Sequence, residues 1–160
     1  MTDTTKKPAA INPWSVAPLV GSDYPAPYDE LCSHIERHVL GNQFGLTQFG
    51  VNMVRLPPGQ ASAQRHWHKL EDEFVMVLRG KLTLVTDAGE QEIGPGMVAG
   101  FKAGVADGHH LVNRTDQDAV YLEIGTRTET EECFYPDIDM QYGPGDEAGY
   151  RHKDGTPYDD

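Results

Sequence analysis

The residues with the clearest chemical potential lie in RHWHKLEDEF, residues 65–74, where two histidines are followed by three consecutive acids. On a β-strand, residues two apart point to the same face, so His66 and His68 would project together while Trp67 points the other way. Two imidazoles on one face can bind a single ion. The same alternation in the next strand makes Glu73 the acid that enters the interior with them. The segment therefore predicts part of a metal site.

Short β-rich segments must position these side chains. Between residues 46 and 126 such segments alternate with turn residues, and no helical pattern fits between them. This spacing predicts an antiparallel sandwich or barrel rather than alternating strands and helices, so the predicted fold class is all-β. The predicted strands are residues 46–56, 62–68, 74–79, 81–86, 91–93, 97–101, 109–113 and 119–126.

The two ends of the chain differ from this central part. Five prolines within the first 30 residues interrupt helix and sheet alike, which predicts an extended N-terminal arm. In YDELCSHIERHVLG, residues 28–41, apolar residues recur at helical spacing and predict one short helix of one or two turns. We expect one domain in three parts: an arm with the short helix at 1–45, a β-barrel at 46–127, and a turn-rich tail packed on the barrel at 128–160.

The composition argues against several classes of partner. Thirteen lysines and arginines against 25 acids give a formal net charge of −12, which repels nucleic acid and anionic membrane surfaces. The two cysteines, Cys32 and Cys133, are too few for a disulfide framework. The N-terminus lacks the apolar segment of a secretory signal, and the longest apolar run, FVMVL, is too short to span a membrane. We predict a cytoplasmic protein without a nucleic-acid or membrane partner.

Two motifs in the chain resemble those of the cupin superfamily. The first comprises PPG at 57–59, HWHKLEDE at 66–73 and Gly80. The second lies in GEQEIGPGMVAGFKAGVADGHHLVN at 89–113, with a proline-glycine turn, a histidine and an asparagine four residues later. The chain is similar to small single-domain bacterial cupins, some of which are labelled sugar-phosphate isomerases or regulator-like proteins. The resemblance implies a double-stranded β-helix, that is, an antiparallel sandwich or barrel, and leaves the reaction open.

The resemblance also implies a metal site. It makes His109 the histidine of the second motif, and strand phase independently groups His109 with Asn113 on one face. Hydrogen-bonded polar residues would be the simpler explanation of a lone His-x-His pair, but two motifs at compatible spacing favour a metal. Three imidazoles and one carboxylate suit one divalent transition metal among Zn, Mn, Fe, Ni and Co, with open positions for water or substrate. The implied ligands are His66, His68, Glu73 and His109.

The open end of the barrel beside the metal is the predicted pocket. Alternation alone makes Glu123 and Tyr121 the candidates for the general acid or base. A phosphate would need a cation at the mouth of the pocket, and strand phase points the nearest arginine, Arg65, outward. The other cations near the motifs are Lys69, Lys102 and Arg114. The predicted substrate-binding residues share the inward phase with the ligands and are Gln64, Asn113 and Met53, the last with Asn52 as its alternative.

Three functions suit such a pocket. An enzyme would bind adjacent oxygens of a sugar, sugar phosphate or oxo acid through the metal and carry out isomerisation, epimerisation or lyase chemistry. A ferrous ion in the same site would suit a dioxygenase. A binding or sensing module would use the pocket without turnover. We predict a metal-dependent isomerase or lyase whose partner is a small molecule.

One strand face predicts a homodimer. Phe74, Met76 and Leu78 form an apolar face that points away from the ligands. Such a face must be covered by a second sheet, by the N-terminal arm or by another subunit. We expect a second copy of the chain to cover it.

Overall fold

The computed structural model describes residues 9–143 and 149–158. These residues form thirteen strands, one α-helix and two 3-10 turns. The helix is α1 Gly41–Phe44, and the 3-10 turns are Pro13–Ser15 and Glu30–Cys32. The strands are β1 Leu19–Val20, β2 Glu36–Val39, β3 Phe49–Leu56, β4 Trp67–His68, β5 Glu73–Arg79, β6 Leu82–Thr86, β7 Gly89–Ile93, β8 Val98–Phe101, β9 His110–Val112, β10 Ala119–Thr126, β11 Cys133–Tyr135, β12 Met140–Gly143 and β13 Gly149–Arg151.

The strands pair in three antiparallel sheets. The strand order is β1-β2-β3-β10-β5-β8 in the largest, β7-β6-β9 in the second and β13-β12-β11-β4 in the third. Strand β10 covers residues 119–126, as the alternation predicted, and pairs with both β3 and β5. The predicted all-β class with antiparallel sheets is therefore confirmed.

The helix predicted within residues 28–41 is wrong for most of that segment. Only a 3-10 turn forms at its start, and Glu36–Val39 is strand β2, which pairs with β1 and β3. Cys32 and Ile35 are fully buried, so the apolar spacing places the turn and the approach to β2 against the core. A helix this short is marginal on its own, whereas β2 gains a ladder with β3.

Both ends of the chain contribute strands that the sequence did not predict. The arm adds β1 and β2 to the edge of the largest sheet, and the tail adds β11, β12 and β13. Because β11 pairs with β4, Cys133 lies directly opposite His68. The tail thus forms a wall beside the histidines. None of the helices formed by the described residues has the length and apolar composition needed to cross a membrane.

The main core lies between the largest and the second sheet, and a smaller core lies under the tail. Burying each aliphatic side chain of the main core contributes roughly 1.5–3 kcal/mol to stability, which fixes the two sheets relative to each other. The cavity described below is bounded by residues of this same core. The fully buried aliphatic residues of the main core include Val54, Leu56, Val77 and Leu82.

Candidate metal centre

The histidines of the two sequence motifs are held side by side by backbone hydrogen bonds. His66 and His109 exchange both N–H···O=C bonds, at 3.2 and 2.8 Å. His68 belongs to β4 and is fixed by pairing with β11. Trp67 lies between His66 and His68 in the sequence, and its ring stacks on Phe134 of β11 with ring centroids 4.5 Å apart. The backbone thus fixes the spacing of all three imidazoles.

The three imidazoles converge on one carboxylate oxygen. Measured from Oε2 of Glu73, the Nε2 atoms lie at 2.7 Å (His109), 3.4 Å (His68) and 3.8 Å (His66). Ligand atoms of His66, Glu73 and His109 all lie within 4.8 Å of one another, so that one ion could contact all three. The structure therefore brings all three predicted imidazoles within 3.8 Å of Glu73 Oε2, and His66, Glu73 and His109 form the tighter group, without His68.

Contacts on the far side of each ring orient the imidazoles. Nδ1 of His66 lies 2.8 Å from the carbonyl oxygen of Gln64, and because a carbonyl can only accept, this nitrogen carries the proton. Nε2 is then the lone-pair nitrogen, which is the form that binds a metal. Nδ1 of His68 faces Oε1 of Glu131 at 3.5 Å, and Nδ1 of His109 lies 3.3 Å from a loop carbonyl.

The protonation of two of these groups also suits a metal ligand. Burial lowers the pKa of His66 to about 4, so its imidazole is neutral at neutral pH. For Glu73, burial opposes ionisation, but the hydrogen bond from His109 and the nearby histidines outweigh it and lower the pKa to about 2. A neutral imidazole and an ionised carboxylate are the forms that bind metal ions.

Two further groups of ligand-type atoms lie beside this cluster. One combines His66 and His68 with Cys133, and the other combines His68 with Glu71 and Glu131. Burial raises the pKa of Cys133 to about 12, so the thiol stays protonated and is a poor ligand. The carboxylate of Glu131 already accepts hydrogen bonds from two consecutive backbone N–H groups. The cluster of three histidines and one carboxylate is therefore the better candidate.

Known families and structures resemble this chain over the same region. A cupin domain family model matches residues 52–125, from β3 into β10. A crystal structure from Silicibacter pomeroyi DSS-3, described as a sugar phosphate isomerase from a cupin superfamily, is 43% identical and covers 94% of this chain and 96% of its own, with a TM-score of 0.89. The chain belongs to the cupin superfamily. Membership predicted from the two motifs is thus confirmed.

More distant structures share the cupin fold. One from Acidithiobacillus ferrooxidans, to which a sugar phosphate isomerase activity is ascribed, is 27% identical over 79% of this chain and 81% of its own, with a TM-score of 0.71. One from Thermotoga maritima, to which an oxalate decarboxylase activity is ascribed, is 17% identical over 74% of this chain and 99% of its own, with a TM-score of 0.60. No curated protein matches the chain.

An open cavity of about 590 Å³ lies beside the histidine cluster of this cupin. Its volume suits a small molecule. Tyr121 and Glu123 lie on its wall, on the face of β10 that also carries Gly125. Gly125 pairs directly with Glu73, so the two predicted acid–base residues continue inward from the cluster along one strand face.

Two predicted substrate-binding residues, Met53 and Gln64, lie outside the lining of this cavity. On β3 it is Asn52 that lines the cavity, and Met53 therefore points to the opposite face. The side-chain amide of Gln64 donates to the backbone oxygen of Tyr28 at 2.7 Å. The predicted strand at 62–68 is paired as a ladder only in β4, and isolated bridges precede it, so the alternation used to place Gln64 does not apply there.

Asn113 likewise holds a turn instead of lining the cavity. Its Nδ2 donates to the backbone oxygens of Leu56 and Gln117 at 2.8 and 2.7 Å, and its Oδ1 accepts from the N–H and hydroxyl of Thr115. The side chain is fully buried and all of its polar atoms are used. Strand β9 ends at Val112, one residue before Asn113. The alternation counted from His109 therefore does not predict which way the Asn113 side chain points.

The cavity wall holds two arginines that neither the motifs nor strand phase predicted to lie there. Arg37, from β2, has its Nε 3.5 Å from Oε1 of Glu123. Arg127 follows β10, and its guanidinium lies 3.1 Å from the side-chain oxygen of Asn42. Strand alternation across ERHV, residues 36–39, could have predicted the position of Arg37. His38 is buried on one face of β2, so its neighbour Arg37 points to the opposite face.

Glu131 is expected to support metal binding through His68. Its carboxylate is fixed by the turn and faces Nδ1 of His68 at 3.5 Å. A carboxylate in this position keeps Nδ1 protonated and makes Nε2 a more basic ligand, which donates its lone pair more strongly to a metal ion. We expect Glu131→Gln to weaken metal affinity by about 10–100-fold, measured by competition with a chelating dye.

Glu132→Gln is the matched control for this change. Glu132 is the adjacent acid, and its side chain pairs with Lys69 instead of a histidine. Its variant should bind metal as the wild type does. Equal losses in the two variants, or an unchanged affinity in Glu131→Gln, would contradict the role given to Glu131.

Proposed function

We propose that this cupin is a metal-dependent enzyme that acts on a small, oxygen-rich substrate by isomerisation, epimerisation or lyase chemistry. The observation that carries the proposal is the convergence of three imidazoles on Glu73 beside a cavity that also holds the carboxylate of Glu123. A sugar, sugar phosphate or oxo acid has paired oxygens that can chelate an ion. The relative that is 43% identical is described as a sugar phosphate isomerase, which favours isomerisation within this class.

One divalent transition metal would be held by His66, His68, Glu73 and His109. Imidazoles with one carboxylate suit Zn, Mn, Fe, Ni or Co. Bound there, the ion would polarise a substrate oxygen and stabilise negative charge that develops on it. The contacts of His66 with the Gln64 carbonyl and of His68 with Glu131 keep the ring nitrogens directed at the centre.

Glu123 is the proposed proton carrier. Its Oε1 accepts a hydrogen bond from Asn52 at 2.8 Å and faces Nε of Arg37 at 3.5 Å, which leaves Oε2 for the substrate. A carboxylate held in this way can take a proton from one substrate atom and return it to a neighbouring one, as isomerisation requires. Tyr121 lies two residues away on the same face. Burial raises its pKa well above the usual range, so the phenol stays protonated and can donate.

Elemental analysis of the protein as purified, without added metal or chelator, tests the proposal. We expect about one transition-metal ion per chain, as one such cluster would hold, and loss of that ion in a His66→Ala/His68→Ala variant. A His34→Ala/His152→Ala variant is the matched control, because neither of these two histidines belongs to the cluster. Its metal content should equal that of the wild type.

The identity of the ion and a turnover assay separate the remaining functions. Aldoses, ketoses, their phosphates and oxo acids would be incubated with the metal-loaded protein and followed by NMR for conversion. Conversion that the double variant lacks supports the enzyme. Substrate-dependent oxygen uptake with iron would indicate a dioxygenase instead. A protein that takes up none of the candidate metals contradicts the metalloenzyme and leaves a binding module.

The outer face of β5 is proposed as the contact of a homodimer. Phe74 and Leu78 are 41% and 46% exposed, and Val98, on the neighbouring strand, is 53% exposed. The described part of the N-terminal arm contacts the opposite part of this sheet, where the backbone oxygen of Val16 lies 2.6 Å from Nδ1 of His38. An apolar face left uncovered in this way favours association with a second copy.

Phe74→Glu should therefore convert the dimer to a monomer on size-exclusion chromatography with light scattering. A carboxylate at the centre of an apolar contact would be buried without a partner. Leu19→Glu is the control, since Leu19 is also an exposed apolar residue, at 65%, but lies on β1 at the far edge of the sheet. An unchanged mass for Phe74→Glu would contradict this placement of the interface.

The cytoplasm is the proposed location of the protein. Cys32 and Cys133 are both free thiols in the structure, and both are buried. Free thiols are typical of a reducing compartment. Labelling with a thiol reagent after denaturation of the protein isolated from cells should find two reactive cysteines per chain.

A further inference from the structure

A row of polar side chains crosses the cavity wall one step inward from the histidine cluster. In the sheet register Glu73 pairs with Gly125, and Glu123 pairs with both Val75 and Asn52 at the next inward position. Two residues along a strand span about 7 Å. The polar side chains at that position therefore lie about 7 Å from the cluster, along the same cavity wall.

Four side chains form this row, and short contacts join three of them. Asn52 donates to Oε1 of Glu123 at 2.8 Å, and Nε of Arg37 lies 3.5 Å from the same oxygen. Arg37 also donates to two backbone oxygens, at 2.6 and 3.4 Å, so its guanidinium is fixed in place. Tyr121 completes the row one inward position beyond Glu123. We call Arg37, Asn52, Tyr121 and Glu123 the polar row.

Two atoms of the polar row are buried without a hydrogen-bond partner among the described residues. They are the hydroxyl of Tyr121, on a side chain that is 1% exposed, and Oδ1 of Asn52. A buried polar atom that makes no hydrogen bond destabilises the folded protein, so such atoms in a native structure call for an explanation. Both belong to residues that line the cavity, where a ligand could supply the missing partner.

The charges in the polar row are already balanced. Arg37 faces Glu123, so a carboxylate or phosphate placed here would meet no net positive charge. What the row offers is an acceptor on Asn52, an acceptor on Glu123 and a hydroxyl on Tyr121 that can donate or accept. Ligand groups that both donate and accept hydrogen bonds, carried on neighbouring atoms, would complement these three side chains.

We propose that the polar row is a subsite for the hydroxyl groups of a polyhydroxylated substrate, a sugar or polyol whose other end lies at the histidine cluster. The inference rests on the proposed function in placing the reacting oxygens beside Glu73. The cluster and the row line one cavity, so a carbon chain could lie between them. A two-carbon chelator such as oxalate is too short to reach both.

Titration calorimetry with hydroxyl-rich and hydroxyl-poor probes tests this subsite. The hydroxyl-rich probes are D-ribose, D-fructose, ribitol and sorbitol, and the comparators are 2-deoxy-D-ribose and oxalate. We expect at least one hydroxyl-rich probe to bind the wild type. Tyr121→Phe removes only the hydroxyl that lacks a partner, so it should weaken that binding by about tenfold. Asn52→Leu is a second variant of similar side-chain size with the same expected loss.

Tyr158→Phe is the matched control. The hydroxyl of Tyr158 donates to the backbone oxygen of Asp139 in the tail, away from the cavity lining. Its loss should lower the melting temperature and leave probe binding unchanged. Tyr121→Phe should show the reverse: a melting temperature at or above that of the wild type, since no internal hydrogen bond is lost, and weaker probe binding.

Repeating the titrations after chelator treatment separates this inference from the proposed function. Weaker sugar or polyol binding in Tyr121→Phe supports the subsite whether or not the protein holds a metal. Three outcomes overturn it: no hydroxyl-rich probe binds the wild type, Tyr121→Phe and Asn52→Leu bind the probe as tightly as the wild type, or oxalate loses as much affinity in them as the sugar does. If metal binds normally in that case, the metal assignment stands without the subsite.

Discussion

Glu123→Gln should lower turnover of the proposed reaction by about 10²–10⁴-fold, the usual contribution of a positioned acid–base residue. Glutamine keeps the size of the side chain and can still accept the hydrogen bond from Asn52, which is 2.8 Å long in the wild type. It cannot take up and return a proton. The metal content should stay at the wild-type value, because Glu123 does not belong to the cluster around Glu73.

Glu36→Gln provides the matched control for this variant. Glu36 precedes Arg37 on β2 and therefore faces the other side of the sheet, where it pairs with Arg55. Each variant loses one arginine–carboxylate pair, but only Glu123 lines the cavity. Steady-state rates should be unchanged in Glu36→Gln. Wild-type rates in Glu123→Gln would assign proton transfer to another group.

Local patterns were sufficient to predict the part of the fold that carries the cluster. The alternation in AVYLEIGT predicted β10 to the residue, and the same period two placed Tyr121 and Glu123 on one face. The same rule predicted that His66 and His68 project together, although only His68 lies on β4 and His66 forms an isolated bridge with His109. These predictions needed only neighbouring residues, because strand phase is a local property of the chain.

Contacts between distant segments could not be predicted in this way. The segment at residues 28–41 has a helical apolar spacing, yet its residues 36–39 form β2 because β3 offers a ladder of hydrogen bonds. That pairing is what places Arg37 in the cavity wall. Glu131 reaches His68 because β11 pairs with β4 across more than sixty positions of sequence. Neither contact leaves a signal within a short window of sequence.

Strand phase also fails where a ladder ends. Asn113 shares the parity of His109, but β9 stops one residue before it and the chain turns. The asparagine then uses its amide to hold that turn. A residue's face can be predicted from alternation only while the strand is paired on both sides of the residue in question.

Gly80→Ala should destabilise the protein by about 1–4.5 kcal/mol net, measured from the midpoint of urea unfolding. Gly80 ends the motif that resembles the first cupin motif and lies directly after β5, with φ +76°. A Cβ in this left-handed conformation costs about 1–2 kcal/mol. It would also lie 2.9 Å from the Cα of Ala119 and 2.9 Å from the backbone oxygen of Asp118. Backbone atoms at the start of β10 cannot move aside as a flexible side chain could, so a further 1–3 kcal/mol, roughly, is expected from overpacking.

Gly59→Ala separates these two costs. Gly59 has nearly the same conformation, φ +77°, but a Cβ there would meet nothing within 4 Å. The conformation alone costs about 1–2 kcal/mol, and in both variants the reduced freedom of the unfolded chain offsets about 0.4–1 kcal/mol. Gly59→Ala should therefore show a net loss of at most about 1.6 kcal/mol. The difference between the variants then measures the contact of the turn after β5 with Ala119. Equal losses in the two variants would show that backbone conformation, and not this close contact, is what requires glycine at position 80.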